Sequence, residues 1–243
     1  VPEVIILAES CGHDCQLCLD KLCMQKIPVF SNLSRSDLEQ IAARIVHLAY
    51  PKGSVIMLAG ARADSITIIN TGKLKACRYA EDGKEQIVYL FTEGDFFGEH
   101  GLFNDQVTPY QVEALTDVKL CHLYRSDFQA VLQDHPSIAL QIIAVLSSRL
   151  ASLEKVFGNQ DLDARINTLL LEFADKYGRS QAGGIFVRLP LSREGIANYL
   201  GIARETLSRK LSQLESDGII RSIGNKTIQI IKPDALRHSL GTA

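Results

Sequence analysis

Leu191-Ser-Arg-Glu-Gly-Ile-Ala-Asn-Tyr-Leu-Gly-Ile-Ala-Arg-Glu-Thr-Leu-Ser-Arg-Lys-Leu211 decides how the chain is read. Ser192 is placed to cap a short helix that carries Ile196 and Leu200 on its inner face. Gly201 supplies a tight turn, where a side chain would clash or resist positive φ. A second helix follows with Leu207, Leu211 and Leu214 inward, leaving Arg204, Glu205, Ser208 and Arg209 on the opposite face. Two helices joined by a glycine turn, the second polar on its outer face, predict a helix-turn-helix. The N-terminal residues of such a second helix reach base edges in the major groove. Arginine donates bidentate bonds to guanine there, and glutamate accepts from the cytosine amino group. Past Gly218, the runs Ile219 to Ile223 and Thr227 to Ile231 flank Gly224-Asn225, the pattern of a β-hairpin that forms a wing.

Upstream, Asp163 to Tyr177 reads as a helix with Ile166, Leu169, Leu170 and Phe173 inward, ended by Gly178. Gly183-Gly184 then makes a turn before a strand at Phe186 to Leu189. From Pro136 to Phe157 the pattern is helical, and Ala139, Ile143, Leu146, Leu150, Leu153 and Phe157 alternate spacings of four and three. That is an a/d stripe. It fits either a helix packed on its own domain or a seam between two chains. Its place between two domains favours the seam, so Ile143, Leu146, Leu150 and Leu153 are the expected homodimer interface.

Ahead of that helix, Ser34 to Val46 reads as a short amphipathic helix capped by Ser34, with Leu38, Ile41, Ala42 and Ile45 on one face. Between Ala49 and Leu123 the character changes. Short β-rich runs at Ser54 to Leu58, Ser65 to Asn70, Leu74 to Tyr79, Gln86 to Phe91 and Val118 to Tyr124 are punctuated by Gly53, Gly60, Gly72, Gly83 and Gly94. This spacing predicts an antiparallel barrel or sandwich, with a hairpin turn at Asp82-Gly83.

The whole is an α+β chain of 243 residues, long enough for two domains. The expected order is a cysteine-rich segment (1–30), a β-roll sensor domain (31–134), a dimerisation helix (135–160) and a winged helix-turn-helix (161–243). A net charge of −2 argues against an indiscriminate nucleic-acid binder but permits one local basic face. No run of about 18 consecutive apolar residues suggests a membrane span, and the expected location is cytoplasmic.

Cys11, Cys15, Cys18 and Cys23 fall within thirteen residues, while Cys77 and Cys121 stand alone. In a cytosolic chain such a cluster points to metal or redox chemistry rather than a disulfide framework. Thiolates select zinc or iron–sulfur clusters; thiol–disulfide switching is a further reading, and Cys77 reads as a buried strand cysteine. Cys11-x3-Cys15-x2-Cys18 also has the spacing of the radical-SAM motif, but the glycine-spaced strands and winged helix that follow are not the partial α/β barrel of those enzymes. No nucleophile–base constellation or phosphate-cradling loop is visible, so an enzyme is not expected.

The helix-turn-helix segment resembles that of the CRP/FNR regulators, and the resemblance extends over nearly the whole chain. The glycine-spaced strands look like their cyclic-nucleotide-binding-like sensor domain, and Gly94-Asp-Phe-Phe-Gly-Glu-His-Gly-Leu-Phe103 is similar to the stretch closing their effector pocket. By that resemblance Glu205, Ser208 and Arg209 match base-contacting residues of the FNR branch, and Arg204 an arginine used by the CRP branch. The implied partners are double-stranded DNA with a two-fold symmetric operator, half-sites close to TTGAT or TGTGA, a second copy of the chain, and RNA polymerase.

The resemblance also separates two kinds of signal. Glu99 matches the glutamate of the cyclic-nucleotide pocket, but Thr108 and Pro109 stand where an Arg-Ser pair holds the phosphate. Without that arginine a buried phosphate loses its bidentate partner, so no cyclic nucleotide is expected. Cys15, Cys18, Cys23 and Cys121 instead match the ligands of the FNR branch's oxygen-sensing [4Fe–4S] cluster, with zinc or no cofactor as alternatives. The last N-terminal gap is one residue shorter than in the family's best-known pattern, and Cys11 is spare or an alternative ligand. Where the FNR branch carries an acidic residue that opposes dimerisation, this chain has Leu153, with Glu154 beside it. The seam is therefore expected to hold without a cluster.

Overall fold

The computed structural model describes residues 30, 33–104, 106–158 and 161–238. The cysteines at 11, 15, 18 and 23 lie outside them. The described residues up to Leu146, apart from 85–87, form one compact unit; 85–87 and those from Ser147 onward form another.

In the first unit, helix α1 (Arg35–Ala42) opens with a capping box: Ser34 Oγ accepts the Asp37 N–H, and Asp37 accepts the Ser34 N–H. It ends sooner than the sequence pattern predicts. Ile45 continues the helical spacing, but the next residues pair into a strand, β1 (Val46–Tyr50), which the apolar spacing had hidden. There follow β2 (Val55–Met57), β3 (Ser65–Thr71), β4 (Leu74–Tyr79), β5 (Glu85–Phe91), β6 (Phe96–Phe97), α2 (Glu99–Asn104), β7 (Gln111–Ala114) and β8 (Val118–Tyr124). They make two four-stranded sheets ordered β1-β8-β3-β6 and β2-β7-β4-β5.

The alternation of side chains along β8 separates two cores. Val118 and Leu120 face the roll interior with Ile69, Leu74, Phe97, Tyr110 and Val112. Cys121 and Leu123 face the other way, into a cluster with Ile66, Ile68, Phe96, Leu38 and Ile41. That outer core is closed by α3 (Arg125–Asp134) through Phe128 and Val131, and by the first turns of α4 (Ser137–Phe157) through Ile138 and Ile142. Phe30, fully buried, belongs to the same cluster.

The second unit contains α5 (Leu162–Tyr177), β9 (Gly178–Gln181), β10 (Gly184–Arg188), α6 (Arg193–Leu200), α7 (Arg204–Ser216), β11 (Ile220–Ile223), β12 (Thr227–Ile230) and α8 (Pro233–His238). The strands form an antiparallel sheet ordered β11-β12-β10-β9. Asp161 caps α5 by accepting the Asp163 and Ala164 N–H groups, and Ile166, Leu169, Leu170 and Phe173 are buried as the pattern predicts. The α+β class, the antiparallel roll, the long helix and the winged helix-turn-helix are the fold that the sequence implies.

Candidate nucleic-acid interface and sensor site

The helix-turn-helix is built by local chemistry. Ser192 Oγ accepts the Gly195 N–H at 3.1 Å and starts α6. Gly201 ends it in the left-handed region at φ 66°, and a Cβ there would meet nothing within 4 Å. The need for glycine is thus conformational; the clash expected as an alternative reason is absent. Leu207 and Leu211 are buried and Leu214 half-buried, which turns the opposite side of α7 outward. Arg204, Glu205 and Arg209 are exposed, with Ser208 half-buried between them.

Two contacts orient this helix, and a third braces the strand it meets. Lys210 Nζ meets Asp163 Oδ1 at 2.6 Å, joining α7 to the first turn of α5. At its other end Glu215 Oε1 accepts the Ser222 N–H from β11 at 2.6 Å, and Arg193 donates to Ser222 Oγ at 2.7 Å. Hydrogen bonding from Ser222, aided by the Arg193 charge, holds the Glu215 carboxyl below its ordinary range. The wing is therefore fixed to α7. Exposed Arg221 and Lys226 lie on it, the latter in the turn after Gly224.

Helix α4 is two-sided. Ile138 and Ile142 are buried in the outer core, with Val145 and Leu146 packed against it. Ile143 and Leu150 are 61% and 57% exposed, and Leu140, not in the expected stripe, is 68% exposed. Leu153 is half-buried and Glu154 exposed. Leu146 thus already serves its own core, while Leu140, Ile143 and Leu150 carry the outward apolar surface. By length and composition the stretch Ser137–Glu154 would suffice to cross a bilayer, although the sequence pattern predicts no span.

Around Cys121 the chemistry is mixed. The side chain is a thiol 2% exposed. His47, its partner across β1 and β8, places Nδ1 3.5 Å from the sulfur. Burial lowers the His47 pKa. The adjacent His122 turns to the opposite face, where its Nδ1 lies 3.2 Å from Ser65 Oγ, and burial pushes it down to about 4. Cys77 is buried on β4, as expected. His47 went unnoticed in the sequence, because only the strand register brings it to the sulfur.

In the effector-pocket stretch, Glu99 begins α2. Thr108 is buried, its N–H donating to the Ala61 carbonyl at 2.8 Å and its hydroxyl to Met57 Sδ at 3.4 Å. Pro109 has no N–H to offer, and its carbonyl accepts from exposed Arg78 at 3.0 Å. The backbone donors at these two positions are already used or absent.

Residues 47–135 match the cyclic nucleotide-binding domain family, and residues 164–239 match the Crp-like helix-turn-helix domain. The chain is 31% identical over 215 residues to a probable transcriptional regulator, flp, of Lacticaseibacillus casei, covering 87% of this chain and 95% of that protein. It is 28% identical over 233 residues to the transcriptional activator protein FnrL of Cereibacter sphaeroides, covering 93% and 90%. The solved structure of FixK2 from Bradyrhizobium japonicum superposes with a TM-score of 0.69 at 27% identity, over 82% of this chain and 98% of that one.

Proposed function

The chain belongs to the CRP/FNR family of DNA-binding transcription regulators and is not an enzyme, and on that premise we propose that oxygen or redox state controls it through a [4Fe–4S] cluster held by Cys15, Cys18, Cys23 and Cys121. The observation carrying this reading is the shared outer core. Cys121, Phe30 and the seam-helix residues Ile138 and Ile142 belong to one buried cluster. Phe30 follows Cys23 by seven residues, a span of at most about 25 Å. That reach is long enough for Cys23 to come to the face of the roll that carries Cys121. A soft thiolate donor set with an imidazole nitrogen 3.5 Å from one sulfur fits an iron–sulfur group.

When bound, the cluster supplies an oxygen-sensitive cross-link between the N-terminal segment and β8. The protein's own residues transmit its state. Any repacking around Cys121 acts on Ile138 and Ile142, and so on the outward residues Leu140, Ile143 and Leu150 of the same helix. A second chain covers those residues in a homodimer, which is also how we read the apolar Ser137–Glu154 stretch: a protein-facing seam rather than a membrane span. The dimer sets two α7 helices about one DNA turn apart, roughly 34 Å. Control comes only from a difference in cluster affinity between two packings of this core.

Arg204, Glu205, Ser208 and Arg209 read a two-fold symmetric operator, and the DNA-bound dimer engages RNA polymerase in the cytoplasm. Cyclic nucleotide is not the signal, because Thr108 and Pro109 offer a phosphate neither a cation nor a spare backbone donor. The rival thiol–disulfide switch fits Cys121 less well, because the thiol is buried and burial disfavours the charged form of the neighbouring His47.

A footprint with protein handled without oxygen tests the proposal. The expected result is protection of a two-fold symmetric site that weakens after exposure to air. Equal protection before and after air would refute oxygen control.

A further inference from the structure

His47 and Cys121 are direct partners in the antiparallel β1–β8 ladder, so both side chains leave the same face of the sheet. His47 Nδ1 lies 3.5 Å from the Cys121 sulfur, within hydrogen-bonding range for sulfur. Its other nitrogen, Nε2, is buried without a hydrogen-bond partner among the described residues, so the Nδ1 contact is the ring's polar anchor. On its other side Cys121 is flanked by Ile68 of β3, and the surrounding cluster is apolar.

We propose that His47 is the positioning residue for Cys121, donating its Nδ1–H to the sulfur and holding the thiolate where it ligates iron. This rests on the cluster reading above. A metal-bound thiolate carries no proton and only accepts, so the contact survives ligation only if Nδ1 bears the hydrogen. Among apolar neighbours, that N–H offsets part of the cost of keeping a negative sulfur out of water. Hydrogen bonds to ligating sulfurs also tune how firmly a cluster is held.

The test compares wild type, His47→Leu and His47→Asn, each purified without oxygen. Asparagine places an amide N–H near the position of Nδ1; leucine fills the space without a donor. Three quantities are measured: iron content, the visible circular dichroism of the cluster, and the anaerobic rate of iron release to an excess ferrous chelator. His47→Leu is expected to release iron about tenfold faster with an altered visible dichroism, and His47→Asn to restore most of both. His47→Phe, a ring without the donor, replaces His47→Leu if that variant fails to fold. Cluster-loaded His47→Leu (or His47→Phe) matching wild type in rate and dichroism would overturn the role of His47 while leaving the cluster reading intact. His47→Asn releasing iron as fast as the donorless variant would overturn the hydrogen bond in favour of packing alone. A wild type without iron would overturn the cluster reading, and this inference with it.

Discussion

Cys121 and Ile142 share one buried core, on the face of the roll that looks away from its interior. A strand cysteine and helix α4 therefore cannot repack independently. The Cys121→Ala variant is expected to fold and to bind operator DNA, with affinity that no longer changes on exposure to air. The small cavity costs stability of about 1–2 kcal/mol, visible in thermal melting. Operator affinity measured before and after air decides this prediction; a variant that still responds would exclude Cys121 from the sensor.

Arg209 and Lys210 are neighbours in different surroundings. Arg209 is exposed, whereas Lys210 is paired with Asp163. Arg209→Ala is expected to lose about 1–3 kcal/mol of operator discrimination and to relax preference at one position of each half-site. Lys210→Ala removes a surface ion pair of at most about 1 kcal/mol and leaves base preference unchanged. Binding to a set of single-base operator variants separates the two outcomes.

Gly201 turns between α6 and α7 at φ 66° with open space around it. Gly201→Ala is expected to cost about 1–2 kcal/mol, purely from the left-handed backbone. Chemical denaturation should show that loss without a change in slope. A neutral substitution would mean the turn relaxes to negative φ.

Glu215 secures the wing, and its carboxyl is held below the ordinary range chiefly by Ser222. A depressed carboxylate pKa stabilises above the unfolded value of about 4.3, and that contribution is lost as pH falls through the folded value. Glu215→Gln is therefore expected to lower stability near neutrality by roughly 0.5–1 kcal/mol after allowance for solvent screening. The difference from wild type should shrink in acid. A difference that is constant with pH would show that Glu215 acts through packing.

On α4, Ile143 and Leu150 face outward from a helix whose other side is anchored by Ile138 and Ile142. Leu150→Glu is expected to give monomers at micromolar concentration, because an unpaired carboxylate at the seam costs several kcal/mol. Its effect on the single chain's own core is small. With Leu153 in place of an acidic residue, cluster-free wild type is expected to remain dimeric in sedimentation. Monomers there would return control to association rather than orientation.

Legibility in the sequence followed how local each determinant is. The helix-turn-helix could be read from Ser192, Gly201 and the polar face of α7, because cap, turn and periodicity all act within a few residues. Strands Leu74–Tyr79 and Val118–Tyr124 coincide with their expected bounds. Strand β1 was masked by Ile45, which extends a helical spacing yet enters the core beside a strand. Helix α3 follows β8 directly, and Tyr124 offers it no side-chain cap, which leaves Asp127 in the first turn as a weak start signal. Helix α8 did carry a signal, Pro233 at its first position followed by Asp234. The partnership of His47 with Cys121 depends on register between residues 74 apart, which no local pattern encodes.

The most direct test of the account is metal and sulfide analysis, with a visible spectrum, of protein purified entirely without oxygen. A [4Fe–4S] cluster gives about four irons and four sulfides per chain and a broad visible absorption that bleaches in air. One zinc per chain, or a colourless metal-free protein that still binds its operator, would contradict it.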